Sequence, residues 1–285
     1  MTSTTDSQSQ RLNLPAQNVR PDQSAISAAA SDVFRGALRV ETWWALAWEE
    51  FSRRYRRASL GIAWAVISFV IFVLAIMFFR AAVAQGGISD RASYVIFGFL
   101  FFQLLSPMVL DASTVFANAA NWLKGALVPM SLFVFKSLSL NLIVFTFNAV
   151  GACLVLIVFG YRPTSQAWIF LPAFLLTLVN AGWVYFLLGP LLAKYRDVAQ
   201  LLSAIMRMAI FITPILWVPQ KGTLLGLVAL INPLTHFIDI MRAPLIDAPF
   251  PWISWFIVGG LTIGGWIVAL MTFAMTRKKI IFWVI

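Results

Sequence analysis

The densest reactive chemistry in this chain is the run Arg53-Arg54-Tyr55-Arg56-Arg57, directly ahead of a long apolar stretch. Guanidinium groups are planar forks that bind phosphate oxygens bidentately, so the run suits an anionic headgroup. It equally suits a cytosolic partner, or simple anchoring on anionic lipid at about 1 kcal/mol per basic residue. Three more ionisable residues, Asp111, Lys136 and Arg207, lie in or near stretches that are otherwise apolar. At a bilayer centre a charge costs roughly 2.5–3.5 kcal/mol, and such residues pair with one another or mark function. The expectation is that Asp111 pairs with Arg207 or Lys136 and fixes helix positions. The competing reading is that Arg207 and Lys136 snorkel to the surface.

Other reactive patterns are missing. The chain has no G-x-x-x-x-G-K-[ST] loop, no H-E-x-x-H, no G-x-S-x-G and no paired intramembrane carboxylates. ATP hydrolysis, zinc peptidase and serine hydrolase chemistry are therefore not expected of this chain alone. The single cysteine, Cys153, falls in an apolar run and reads as a packing residue. The single histidine, His236, reads as a hydrogen-bonded structural group, and no metal site is expected because metal centres need several ligands.

With 61% hydrophobic and 11% charged residues, against about 25% charged in soluble domains, the chain reads as an integral membrane protein. Apolar runs of about 20 residues predict six spans, at 60–82, 93–116, 132–159, 167–193, 199–218 and 252–274. An even number of spans puts both ends on one side. With those ends cytosolic, only Arg80, Arg91, Arg162, Lys221 and Arg242 of the 21 Lys and Arg fall outside, as positive-inside topology requires. The net charge of +10 then needs no nucleic acid to explain it.

Residues 1–31 are rich in Ser, Thr, Gln, Asn and Ala and predict a disordered cytosolic tail rather than a signal peptide. Val33, Ala37, Val40, Trp44, Ala47 and Phe51 recur at helical spacing, which predicts an amphipathic interface helix over 32–57. Lys194-Tyr195-Arg196-Asp197 reads as a charged turn between two spans. Residues 213–251 carry Pro214, Pro219, Pro233, Pro244, Pro249 and Pro251. Proline breaks helices, so two short re-entrant or interfacial helices are expected there. In the last span Gly260 and Gly264 form a small-xxx-small pair, read as a packing contact.

These residues together resemble the membrane subunit of type 2 ABC exporters of lipid-linked polysaccharide, the O-antigen, capsule and teichoic-acid permeases. The resemblance rests on Phe51–Ile67 with its arginine run and Leu-Gly-x-x-Trp, on Leu188–Trp217 with its Tyr195-Arg196-Asp197 turn and Thr-Pro-Ile-x-Trp end, on Ile231-Asn232-Pro233-Leu234 leading to Arg242, and on the basic-aromatic tail Arg277–Val284. It covers nearly the whole chain past Ser31. It implies an all-α membrane domain over 58–285 and a homodimer in the bacterial cytoplasmic (inner) membrane, with two copies of a separate ABC ATPase that bind the ATP and magnesium. It also implies a lipid-linked glycan as substrate.

By the same resemblance, a coupling helix at about 118–129 docks on the ATPase, with Asn118, Asn121, Trp122, Leu123, Lys124 and Pro129 as its contacts. The aromatic residues Phe97, Phe99, Phe101 and Phe102, with Asp111 and Arg207, become candidates to line the channel. Two other readings stand beside this one. The first is a type 2 permease for a drug or simple lipid, and the second is an intramembrane enzyme acting on polyprenyl-linked sugars.

Overall fold

The structure, a computed structural model, describes residues 25–56, 58–84, 92–119, 128–220 and 222–284. Among the described residues every regular element is helical. Helix α1 spans Ala25–Ala37, α2 Val40–Tyr55, α3 Ala63–Ala84, α4 Ala92–Asp111 and α5 Ser131–Val158. They are followed by α6 (Phe170–Lys194), α7 (Arg196–Ile212), α8 (Leu224–Ile231), α9 (Pro233–Arg242) and α10 (Trp252–Val284). Five of these segments, within α3, α4, α5, α6 and α10, are long and apolar enough to cross a membrane.

The remaining expected span corresponds to α7, whose 17 residues reach about 25 Å at 1.5 Å per residue, short of a hydrocarbon core of about 30 Å. The cause is Pro214. A proline pushes the preceding residue out of the helical region, and Thr213 sits at φ −78°, ψ 138°. Yet α7 does join the two ends of the bundle. At its start, Lys194 lies 5.7 Å from the Trp283 ring near the end of α10. Beyond its last turn, the carbonyls of Pro214 and Trp217 accept from the Tyr94 hydroxyl at the start of α4. The residues after Ile212 form turns, the Ile215 amide donating to the Thr213 carbonyl at 2.7 Å, so most of that reach is made by α7 itself.

Pro233 acts in the same way. Asn232 before it is extended, and α8 and α9 meet there at 86°, so the proline-rich region holds two short helices that cannot form one straight crossing. The break is well capped. Asn232 Oδ1 accepts from the Leu234 amide at 3.0 Å with Pro233 in the first helical position, and the Thr223 hydroxyl accepts from the Gly226 amide at 3.1 Å. At the end of α5, Gly160 adopts φ 69° while the Tyr161 amide reaches back to the Leu156 carbonyl at 3.0 Å, the left-handed stop that glycine favours.

The most extensive helix pairing is α6 against α10, and it is built from two reciprocal knobs. A Cβ on Gly182 would lie 2.8 Å from the Trp266 ring, and one on Gly265 would lie 2.5 Å from Trp183. Each glycine is thus the hole for the other helix's indole. The polar atoms are satisfied in the same seam: Trp183 donates to Asn180 Oδ1, Asn180 Nδ2 donates to the Thr262 hydroxyl, and Trp266 donates to the Val179 carbonyl. Gly260 and Gly264, read as a packing contact, meet nothing within the chain, while the next residue, Gly265, receives Trp183.

The amino-terminal region differs from expectation in two ways. Residues 25–31, part of the segment expected to be a tail, are helical, and the single helix expected over 32–57 is broken into α1 and α2. Gly36, a weak helix former, comes so close to Ser131 that an added Cβ would overlap its hydroxyl. Asp32 accepts from the amides of Met130 and Ser131, and the Ser131 hydroxyl donates to the Asp32 carbonyl at 2.6 Å. So α1 caps α5 from outside. After the break at Leu38–Arg39 the buried stripe of α2 runs through Ala47 and Phe51, with Trp43 and Leu46 half-buried, while Val40, Trp44 and Trp48 are exposed.

Candidate functional site

The Phe51 side chain of α2 stacks on Phe147 of α5 at 5.0 Å between centroids, within a small cluster that includes Ala47, Leu140 and Ile143. This packing sets the register of the charged residues on α2 against α5. Glu50 forms an ion pair with Lys136 and, one helical turn along, another with Arg54 at 3.2 Å. Burial alone would raise the Glu50 pKa, but the hydrogen bonds and charges of Lys136 and Arg54 outweigh it and hold the carboxyl below its ordinary value.

The last residue of α4, Asp111, turns toward the same place. Its carboxylate accepts from Asn141 Nδ2 at 3.1 Å, and the same amide nitrogen donates to the Tyr185 hydroxyl at 2.9 Å. Tyr185 is fully buried, so the three residues bolt α4, α5 and α6 together. Between them and α2 lies a polar cavity of about 110 Å³, lined by Glu50, Arg54, Asp111, Thr114, Asn118 and Lys136 among others. Arg53 and Asn118 border the opening beside it. Two carboxylates face three cations here, with amide and hydroxyl groups between them, a constellation able to hold an anion or to pass motion from one helix to the next.

The structure therefore gathers some of the expected residues. Arg53, Arg54, Asn118, Asp111 and Lys136 come to one site. Arg56 is exposed nearby, and Tyr55 packs on Phe51 at 5.1 Å. Arg57, Asn121, Trp122, Leu123 and Lys124 lie outside the described residues, and Pro129 is half-buried just ahead of α5. The pairing expected for Asp111 is corrected: its partner is Asn141, Lys136 belongs to Glu50, and Arg207 lies exposed on α7.

Phe97, Phe99, Phe101 and Phe102 are 7%, 3%, 1% and 5% exposed. They stack on rings of the same subunit, Phe99 on Phe72 at 4.7 Å and Phe101 on Phe170 at 5.6 Å, rather than lining a channel as the resemblance suggested. The charged turn is shorter than anticipated. Only Tyr195 is non-helical between α6 and α7, Lys194 lies 4.8 Å from its ring, Arg196 opens α7, and Asp197 occupies the first turn, where a carboxylate favours the helix dipole. Cys153 is exposed on α5 rather than packed inside.

At the opposite end of the bundle a second charged cluster is buried. Arg242 donates to the Pro214 carbonyl at 2.8 Å and to Asp239 Oδ1 at 2.7 Å, and its guanidinium lies 3.7 Å from the Tyr94 ring centroid. Gly98 makes room, since a Cβ there would stand 3.1 Å from Arg242 Nη1. His236 is buried with both ring nitrogens engaged, Nε2 with the Leu230 carbonyl and Nδ1 with the Ser254 hydroxyl. A carbonyl only accepts, so Nε2 carries the proton.

Sequence reasoning did not single out Glu50, Asn141 or Tyr185 for this site. Glu50 had a signal, its place one turn before Arg54 on the face that meets α5. Asn141 and Tyr185 had none beyond being polar inside apolar runs.

Comparison with known proteins adds one finding. The family described as ABC-2 type transporter matches residues 41–246, well over half of the chain and the whole of both charged clusters. No curated protein matches it.

Proposed function

Since the chain belongs to the ABC-2 type transporter family, as a membrane-embedded transport subunit, we propose that it is the permease of an ATP-driven exporter of lipid-linked polysaccharide, the glycan being carried on a polyprenyl diphosphate. It acts as a homodimer in the bacterial inner membrane, with both termini cytosolic and two copies of a separate ABC ATPase supplying ATP and magnesium. The carrying observation is the polar cavity that joins Arg53, Arg54 and Lys136 to Asn118. Asn118 opens the segment 118–129 that is to meet the ATPase, and the cations border a space fit for a diphosphate head.

In this mechanism the ATPase moves 118–129, which is tied at one end to Asp111 through the turns at 112–117 that follow α4 and at the other to α5 through Pro129. Movement there changes the cavity and hence the hold of Arg53, Arg54 and Arg56 on phosphate oxygens. Arginine suits the task because it stays charged while its partners change. The wide separation of this cavity from α8 and α9 lets a headgroup be received at one end of the bundle and released at the other.

The test is affinity purification from native membranes in mild detergent, with mass spectrometry of proteins and lipids. A stoichiometric P-loop ATPase together with a polyprenyl-diphosphate glycan supports the reading. An ATPase without glycolipid replaces the substrate with a drug or simple lipid, and no ATPase refutes the exporter. Replacing Arg53, Arg54, Arg56 and Arg57 together by Gln should lower export with membrane insertion intact; unchanged export removes their headgroup role.

A further inference from the structure

A second cavity, of about 470 Å³, lies between α4, α6, α7, α9 and α10, within the 300–1,000 Å³ or so common for small-molecule sites. Its wall is almost entirely apolar and includes Leu105, Met108, Val184, Met206, Ala209 and Phe237. The polar side chains in that wall already have partners inside the protein. The Thr177 hydroxyl donates to the Ala173 carbonyl, Asn180 Nδ2 to Leu176 and Thr262, and Asn232 Nδ2 to the Thr213 hydroxyl. A buried water needs two to four polar partners, and apolar cavities stay dry and take apolar ligands.

Depth decides what fills this one. Its α6 wall runs from Thr177 to Leu188, the middle of a helix that spans Phe170–Lys194, so its surroundings are bilayer hydrocarbon rather than water or headgroups. Ile205 and Ile212 line it while remaining about half exposed, which makes the α7 side its lip. We propose that this cavity is a seat for one hydrocarbon chain of a membrane lipid, entering past α7 and ending against Asn232-Pro233-Leu234, the hinge between α8 and α9. Acyl and isoprenoid chains share the necessary chemistry. An acyl chain would come from bulk membrane lipid and an isoprenoid chain from the carrier of the proposed substrate, so only the isoprenoid outcome rests on the glycan reading.

The test uses the purified full chain with its native partners. Tightly held lipid is counted by native mass spectrometry after prolonged detergent washing, and the lipid mass tells an acyl from an isoprenoid source. Ala209→Phe and, separately, Ala181→Phe fill the space, while Ile263→Phe on the exposed face of α10 is the control. Retained lipid should fall about tenfold in each filled variant, a loss of affinity equivalent to that ratio, and be unchanged in the control. A cryo-electron microscopy map of the parent in lipid nanodiscs should show a continuous tube of density in the cavity, whether or not the variants fold. An empty cavity, side chains of a second copy occupying it, or equal lipid retention in folded filled variants overturns the proposal.

Discussion

Two carboxylate–cation pairs hold opposite ends of this molecule under different conditions of solvent. At the α2–α5 end, Glu50 and Lys136 are 22% and 20% exposed beside a polar cavity, and Arg54 is 52% exposed. At the α4–α9 end, Arg242 is 3% exposed against Asp239 at 29%, with an aromatic ring over its face and a backbone carbonyl accepting from Nη1. A half-buried pair that opens on a polar cavity, with a second cation, Arg54, at hand in solvent, gives modest stability and can exchange partners. A buried one is costly to break, because removing one member leaves the other group and its acceptors desolvated. The first end is suited to change and the second to hold.

Breaking the buried pair should have the largest effect. Arg242→Met leaves Asp239 and the Pro214 carbonyl without their donor, and should lower stability by about 3 kcal/mol, read as a fall in the thermal unfolding midpoint of detergent-purified protein. Arg242→Lys keeps the charge but loses the fork and should fall between parent and Met variant. Gly98→Ala attacks the same cluster from α4 by crowding Arg242 Nη1, and should lower the midpoint by less than Arg242→Met, because alanine's better helix propensity offsets about 1 kcal/mol of the crowding. If it matches the parent, the guanidinium has room to shift and the fit is looser than described.

At the other end the effects should be smaller and depend on conditions. The folded-state pKa of Glu50 lies below its ordinary 4.5, so its contribution is complete above that value and is lost as pH falls through the lowered one. In acid, amide hydrogen exchange in α2 should therefore rise, and Glu50→Gln should remove this pH dependence. After discounting for solvent the change is under about 1 kcal/mol. The smallest expected effect is that of salt. Raising ionic strength to 1 M, where screening acts within about 3 Å, should loosen α2 slightly and leave protection around α9 unchanged; equal responses at both ends would erase the contrast.

What was legible in the sequence follows from the range of each interaction. The long apolar runs announce spans because length against bilayer thickness is a property of one segment. The breaks at Thr213-Pro214 and Asn232-Pro233 are equally local. The break at Leu38–Arg39 is not: it depends on the docking of Gly36 against Ser131, almost a hundred residues away, and so the apparent continuous stripe from Val33 to Phe51 misled. Likewise a carboxylate suggests a cation, and nothing near Asp111 in the sequence points to the amide of Asn141. The phenylalanines of α4 could equally have faced a channel or a core, since their spacing is silent on which helices surround them.

The cap that Asp32 places on α5 also bears on how the chain is threaded into its membrane. Asp32 leaves the ribosome long before Ser131, and α3 and α4 are inserted between them. The two residues can meet only if they lie on the same side, which requires that α3 and α4 both cross or neither does. A chain that inserts one of the pair alone strands Asp32 across the bilayer from the amides it should cap. The contact thus closes only on correctly inserted chains, a checkpoint available before α6 has been made.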